Sequence, residues 1–137
     1  MSKRKVDLDK RKVDLENLSN ESDLQKFLID SEKGYGVKTK KFIPKGNLIV
    51  EYKGTFGLKK DNLQNVDNGW TFSLRHLEKD YVLNAFGVDG LGKYLNHSFD
   101  SNVMPVKDLT LSIPRIYFKA LRDIQEGEGK YIKTYTH

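Results

Sequence analysis

The sequence predicts a mainly β domain with one or two short helices, and three observations carry that expectation. Short runs rich in β-branched and aromatic residues recur along the chain, each broken by glycine, proline or charge. One of them alternates Trp70, Phe72 and Leu74 with Thr71, Ser73 and Arg75, the period of a strand with one buried face. A length of 137 residues fits one domain, large enough to bury roughly two thirds of its unfolded surface.

The N-terminus carries a direct repeat, KRKVDLD at 3–9 and KRKVDLE at 10–16. Its apolar positions exclude a coiled coil, because Val6 and Leu8 are two apart and fall on opposite sides of a helix. Residues 1–22 therefore read as a charged, flexible arm. It is either a solvated tail or a nuclear-localisation or DNA-contacting segment built on Lys3-Arg4-Lys5 and Lys10-Arg11-Lys12. Ser22 or Asp23 is placed to cap a short helix running through Leu28. Strands follow at 37–42, 48–52, 70–74, 81–83 and 116–119. Pro44-Lys45-Gly46 is a turn signature, the proline fixing φ and the glycine accepting a positive one. Loops are expected at 57–68 and 99–114, where Asn102, Pro105 and Pro114 discourage regular pairing.

With no cysteine, the chain has neither a disulfide framework nor a thiolate zinc site, which fits a reducing compartment. No apolar run approaches the ~20 residues that span a bilayer, and no signal-peptide core follows the basic start. The expectation is a nuclear or cytoplasmic protein with no membrane and no metal partner, its sequons at Asn17, Asn20 and Asn96 unglycosylated. A net charge of +5 favours contact with a polyanion.

Several short segments stand in a telling order. Leu28-Ile29-Asp30, Gly34-Tyr35-Gly36-Val37, Phe42-Ile43-Pro44-Lys45-Gly46 and Val50-Glu51-Tyr52-Lys53-Gly54 are followed by Leu91 and Gly92-Lys93-Tyr94-Leu95-Asn96-His97-Ser98. Ala120-Leu121-Arg122-Asp123-Ile124 and Gly127-Glu128 come last. Over residues 24–135 this resembles the SET-domain protein-lysine methyltransferases. The stretch 70–85, with Leu77-Glu78-Lys79-Asp80-Tyr81, and the run 91–98 look most like the members that monomethylate a lysine in the histone four tail.

The resemblance implies a SET domain over 23–137, made of several small curved sheets with a C-terminal pseudoknot, and a strand where the capped helix was an alternative. It implies S-adenosylmethionine as methyl donor and a histone tail or nucleosome as partner, with DNA contact through the basic N-terminal arm. A cationic tail and a basic enzyme repel, so acidic groups are expected in the substrate groove. Lys33, Gly34, Tyr35 and Gly36 would surround the methionine end of the cofactor, where glycine permits close backbone approach. Asn96 and His97 would bind it through the side-chain amide and main-chain groups; a buried histidine bonded to backbone is the alternative for His97.

The reaction implied is in-line transfer of the sulfonium methyl to a neutral lysine amine, driven mainly by proximity and orientation. A narrow aromatic channel desolvates the lysine ammonium and lowers its pKa. Trp70 falls where related enzymes carry a channel tyrosine, so a donor-only indole replaces a hydroxyl. The family's C-terminal Gly-Glu-Glu-Leu, one residue, Tyr-Asp-Tyr is altered. Aligned without a gap, Ile132 and Thr134 take both tyrosine positions; a one-residue shift offers Tyr131 and Tyr135, four apart instead of two. Tyr135 is the candidate catalytic residue, a core-filling aromatic at a strand end being its other reading. The chain ends two residues later, so the post-SET segment that usually covers the site is expected to be missing. Three functions follow: a histone-lysine N-methyltransferase, a catalytically impaired SET module that binds chromatin or protein, and, on charge alone, a basic nucleic-acid-binding β domain.

Overall fold

Short strands that each have apolar residues to bury pack as small sheets on one another. The computed structural model describes residues 13, 15–62, 70–97, 101–127 and 132–134. In chain order its strands are β1 (Leu24–Asp30), β2 (Gly34–Thr39), β3 (Leu48–Tyr52), β4 (Thr55–Leu58), β5 (Thr71–His76), β6 (Lys79–Asn84), β7 (Asn96–His97), β8 (Val103–Asp108), β9 (Arg115–Ala120) and β10 (Lys133–Thr134). Helical structure among the described residues is confined to single 3₁₀ turns such as Glu21–Asp23 and Gly92–Tyr94.

Two antiparallel sheets, ordered β3-β9-β8 and β4-β6-β5, are joined by the β1-β2 hairpin and by a parallel pair, β7 with β10. The core lies where they meet. Ile49, Val50, Ile116 and Phe118 from the first sheet pack with Leu74 and Leu83 from the second, with Val37 of β2, and with Leu95 and Ile132 beside β7 and β10. The pairing of β3 with β9 joins distant parts of the chain, and it is locked by two of the segments read in the sequence. Ile43 and Ile124 exchange backbone bonds of 2.9 Å each way, and the turn residue Lys45 donates its N–H to Asp123 Oδ1 at 2.9 Å.

Strand 48–52 lies where it was expected, and the alternating run at 70–75 becomes β5. One open alternative is decided and two expectations are corrected. The stretch through Leu28 is strand β1 and not a capped helix, because residues 24–28 pair with residues 39–35 of β2 and only the 3₁₀ turn at Glu21–Asp23 precedes it. The loop at 57–68 begins inside β4, where Gly57 survives in a strand because Asn62 Nδ2 stands 2.8 Å from where its Cβ would be. The loop at 99–114 contains β8. Pro105 is tolerated there, opposite Phe118, because β8 is an edge strand and is bonded on one side only. Contacts with the domain also start upstream of residue 23: Leu18 bridges to Leu48, and Glu21 Oε1 accepts the Leu91 N–H at 3.0 Å. The repeat at 3–9 and most of its second copy lie outside the described residues.

Two close contacts bring the segment before β7 onto β3. A Cβ on Gly92 would stand 2.5 Å from the Glu51 carbonyl oxygen and 3.0 Å from Tyr52 Cα, both backbone atoms that have no rotamer to move. Tyr52, 7% exposed, donates its hydroxyl to the Trp70 carbonyl at 2.7 Å, and the same carbonyl accepts the Ala85 N–H at 2.8 Å. Burial pushes the Tyr52 phenol from 10.0 up to about 12.

Gly92→Ala should therefore lower unfolding free energy by roughly 3 kcal/mol, the upper part of the range for overpacking, as read by urea denaturation. Tyr52→Phe should cost about 1 kcal/mol at neutral pH, since the Trp70 carbonyl keeps its second donor. The raised pKa means that the fold favours the neutral phenol. Its contribution is fully present below about pH 10 and is lost as pH rises through about 12. Denaturation across that window should show a shallower fall for Tyr52→Phe than for the parent protein.

Candidate active site

The glycine motif begins at a turn that the sequence builds locally. Asp30 Oδ1 accepts the N–H groups of Glu32 at 2.9 Å and Lys33 at 2.5 Å, closing a side-chain-capped turn. Gly34 completes it at φ +76°, where an L side chain is strained although nothing lies within 4 Å of its missing Cβ. Gly36 is glycine for a different reason. Its Cβ would stand 2.7 Å from Ile29 Cδ1, so the absent side chain is space used by the facing strand β1. The open backbone face is thus at Gly34, next to the exposed Lys33 and the half-exposed ring of Tyr35.

Tertiary structure gathers residues that are far apart in sequence around that ring. Tyr94, from the 3₁₀ turn ahead of β7, meets Tyr35 edge to face at 6.1 Å between ring centroids and Trp70 edge to face at 6.1 Å. Each such contact contributes about 0.5–1.5 kcal/mol beyond area burial. Lys26 of β1 rests its ammonium 4.7 Å from the Tyr35 centroid and 4.6 Å from that of Tyr94. Lys93 Nζ lies 5.4 Å from the Tyr94 centroid, but it is already donating to the Val88 carbonyl at 2.6 Å. The Trp70 backbone is fixed by Tyr52 and Ala85, so the indole starts from an anchored strand end.

Asn96 and His97 form β7, paired in parallel with Lys133 and Thr134 respectively. A two-residue parallel pair has little stability of its own, and Ile132 supplies the anchor. Its side chain is completely buried and its N–H donates to the Val37 carbonyl at 2.7 Å, tying the C-terminal segment to β2 as well as to β7. The residue leading into β10 is thus bonded to the strand that carries Gly34 and Gly36, and β10 itself pairs with the strand that carries Asn96 and His97. Ile132, which takes a tyrosine position in the ungapped alignment, is a core residue here. Tyr131, Tyr135 and Ser98 lie outside the described residues.

Of the residues picked from sequence, Trp70 and Tyr35 are brought together through Tyr94, with Gly34 and Gly36 on the strand that carries Tyr35. Sequence reasoning missed Lys26, Tyr94 and Tyr52 as parts of this arrangement. Tyr94 stood in the quoted segment two residues before Asn96, a usable signal; nothing in the run Leu24–Asp30 marks Lys26, whose role depends on β1 pairing with β2. Among the described residues no group of His, Asp and Glu is placed to hold a metal ion. A cleft of about 410 Å³ on the other sheet is lined by Leu58, Lys59, Lys60, Lys79 and Asp80 and includes none of the residues above.

Comparison with known proteins identifies the family. The SET domain family model matches residues 34–129. Histone-lysine N-methyltransferase SETMAR of Bos taurus is 32% identical over 118 residues, which is 77% of this chain and 38% of that protein. Histone-lysine N-methyltransferase mes-4 of Caenorhabditis elegans is 32% identical over 112 residues, 70% of this chain and 12% of the relative. The chain thus spans well under half the length of these curated relatives. Among solved structures, CpSET8 from Cryptosporidium superposes with a TM-score of 0.70 at 21% identity, covering 82% of this chain and 56% of that one. ATXR5, solved in complex with a mono-methylated histone H3.1, gives 0.68 at 18% identity with the same coverage. The sheet order, the parallel pairing of β7 with β10 and the family match across the glycine and Asn-His segments lead to one conclusion: the chain belongs to the SET-domain family, and its similar curated relatives are histone-lysine methyltransferases.

Proposed function

We propose that this chain is a protein-lysine methyltransferase that uses S-adenosylmethionine and acts on a lysine in a histone tail, in the nucleus. The observation that carries the reading is the continuous aromatic array Trp70–Tyr94–Tyr35, which runs from the predicted lysine-channel wall to the glycine motif. The residues present fit the cofactor. Gly34 leaves its face open, with nothing within 4 Å of the missing Cβ, and a half-exposed aromatic ring adjoins it. When bound, S-adenosylmethionine supplies an electrophilic methyl group on a sulfonium.

The chain's own residues would do the rest. The backbone at Gly34 and Gly36, flanked by Lys33 and Tyr35, holds the methionine end, and Asn96 and His97 bind from the strand that β10 clamps in place. Trp70 walls the lysine channel, excludes water and disfavours the charged ammonium, so that the substrate amine is presented neutral. Tyr135 is the hydroxyl proposed to align it. The tail of histone four, suggested by the resemblance of 70–85, is the first substrate to try, with nucleosomal DNA drawn to the basic arm.

A second reading has its own support. Ile132 is buried where the family places a tyrosine, and an indole stands where a channel hydroxyl is usual, as in a SET module that binds chromatin or protein without transferring methyl groups.

Calorimetric titration with S-adenosylmethionine, followed by methyl transfer to histone octamers and nucleosomes, separates the two. Binding with transfer supports the enzyme, and binding without transfer supports the impaired module. Asn96→Ala is expected to abolish cofactor binding in a domain that still melts cooperatively; unchanged affinity would remove Asn96 from the site. Tyr135→Phe should cut turnover about a hundredfold, the usual scale for a positioned catalytic group, and a wild-type rate would exclude it as the aligning hydroxyl.

A further inference from the structure

We infer that Lys26 is the counter-charge for the cofactor's α-carboxylate, and that it thereby sets which way round the methionine end lies. This inference rests on the cofactor reading above. The ammonium of Lys26 is held over two tyrosine faces, 4.7 Å from the Tyr35 centroid and 4.6 Å from the Tyr94 centroid. One cation shared by two rings is more restrained than a surface lysine without such contacts. Ring faces are weak partners for an ammonium with three N–H donors, and no carboxylate of the described residues forms an ion pair with it.

Lys93, the other ammonium on Tyr94, is already occupied by the Val88 carbonyl. Lys26 is the ammonium fixed on the ring of Tyr35 itself, the residue between the two glycines.

The chemistry of the ligand decides what Lys26 can meet. S-adenosylmethionine carries a sulfonium, an α-ammonium and an α-carboxylate. The first two repel an ammonium, so only the carboxylate complements Lys26. That choice orients the molecule. With its carboxylate toward β1 and Tyr35, the sulfonium is directed away from Lys26, which keeps like charges apart. The Lys26 side chain is exposed, so replacing it leaves the core untouched.

The test compares the parent protein with Lys26→Met and Lys26→Arg, each titrated calorimetrically with S-adenosylmethionine and with decarboxylated S-adenosylmethionine. The parent should bind the carboxylate-bearing ligand more tightly, and Lys26→Met should lose that margin, weakening it roughly tenfold while binding the decarboxylated ligand as the parent does. Lys26→Arg should keep most of the margin. Equal binding of S-adenosylmethionine by the parent and Lys26→Met overturns the assignment and leaves the cofactor reading standing. An equal loss for both ligands also overturns it, because Lys26 would then only brace the two rings. A parent protein that binds neither ligand removes the cofactor reading and this assignment together.

Discussion

The approach of Gly92 to the backbone of β3 is the constraint on which the site depends. A Cβ there would stand 2.5 Å from the Glu51 carbonyl oxygen, so the 3₁₀ turn Gly92–Tyr94 seats only because residue 92 has none. Seating that turn does three things at once. It buries Leu95, it aims Tyr94 between Tyr35 and Trp70, and it presents β7 to the C-terminal strand. The contact is made between backbones, and this is why it sets position so tightly: neither partner can relieve a clash by changing rotamer.

Around that contact the molecule is assembled from pieces too small to stand alone. The β1-β2 hairpin and the two-residue β7-β10 pair would each be marginal in isolation. Buried side chains convert them into a unit. Val37 and Ile132, both fully buried, bring β2 and the C-terminal segment onto the core, and Ile132 adds a backbone bond to Val37. Burying a side chain of that size contributes roughly 1.5–3 kcal/mol, comparable with two ladder bonds at about 0.5–1.5 kcal/mol net each, so packing and hydrogen bonding together hold β10 in place and the bonds set its register. A tyrosine in place of Ile132 would have to find room and a partner for its hydroxyl in the same core. Ile132 thus serves the fold as a buried anchor.

The site follows the same logic. Gly34, Tyr35 and Gly36 look like one motif, yet each is held by a different physical demand: a positive φ, an edge contact with Tyr94, and the bulk of Ile29 across the hairpin. Trp70 is fixed through its carbonyl by a tyrosine and an amide from two other segments. Such over-determination suits the proposed transfer, which depends on alignment more than on a strong base.

The sequence by itself determined the class of fold, because alternation in 70–75, the β-branched run at 48–52 and the Pro44-Lys45-Gly46 turn are local signals with local causes. It also determined the family, since the segments that carry it are short stretches in a fixed order. Tertiary structure alone decided the rest. Residues 24–28 chose strand over helix because β2 offered a full ladder, and Pro105 joined a strand because its position on a sheet edge made the missing N–H harmless. Lys26 and Tyr94 entered the site through pairing and packing with partners nine and fifty-nine residues from Tyr35, contacts that no local pattern encodes.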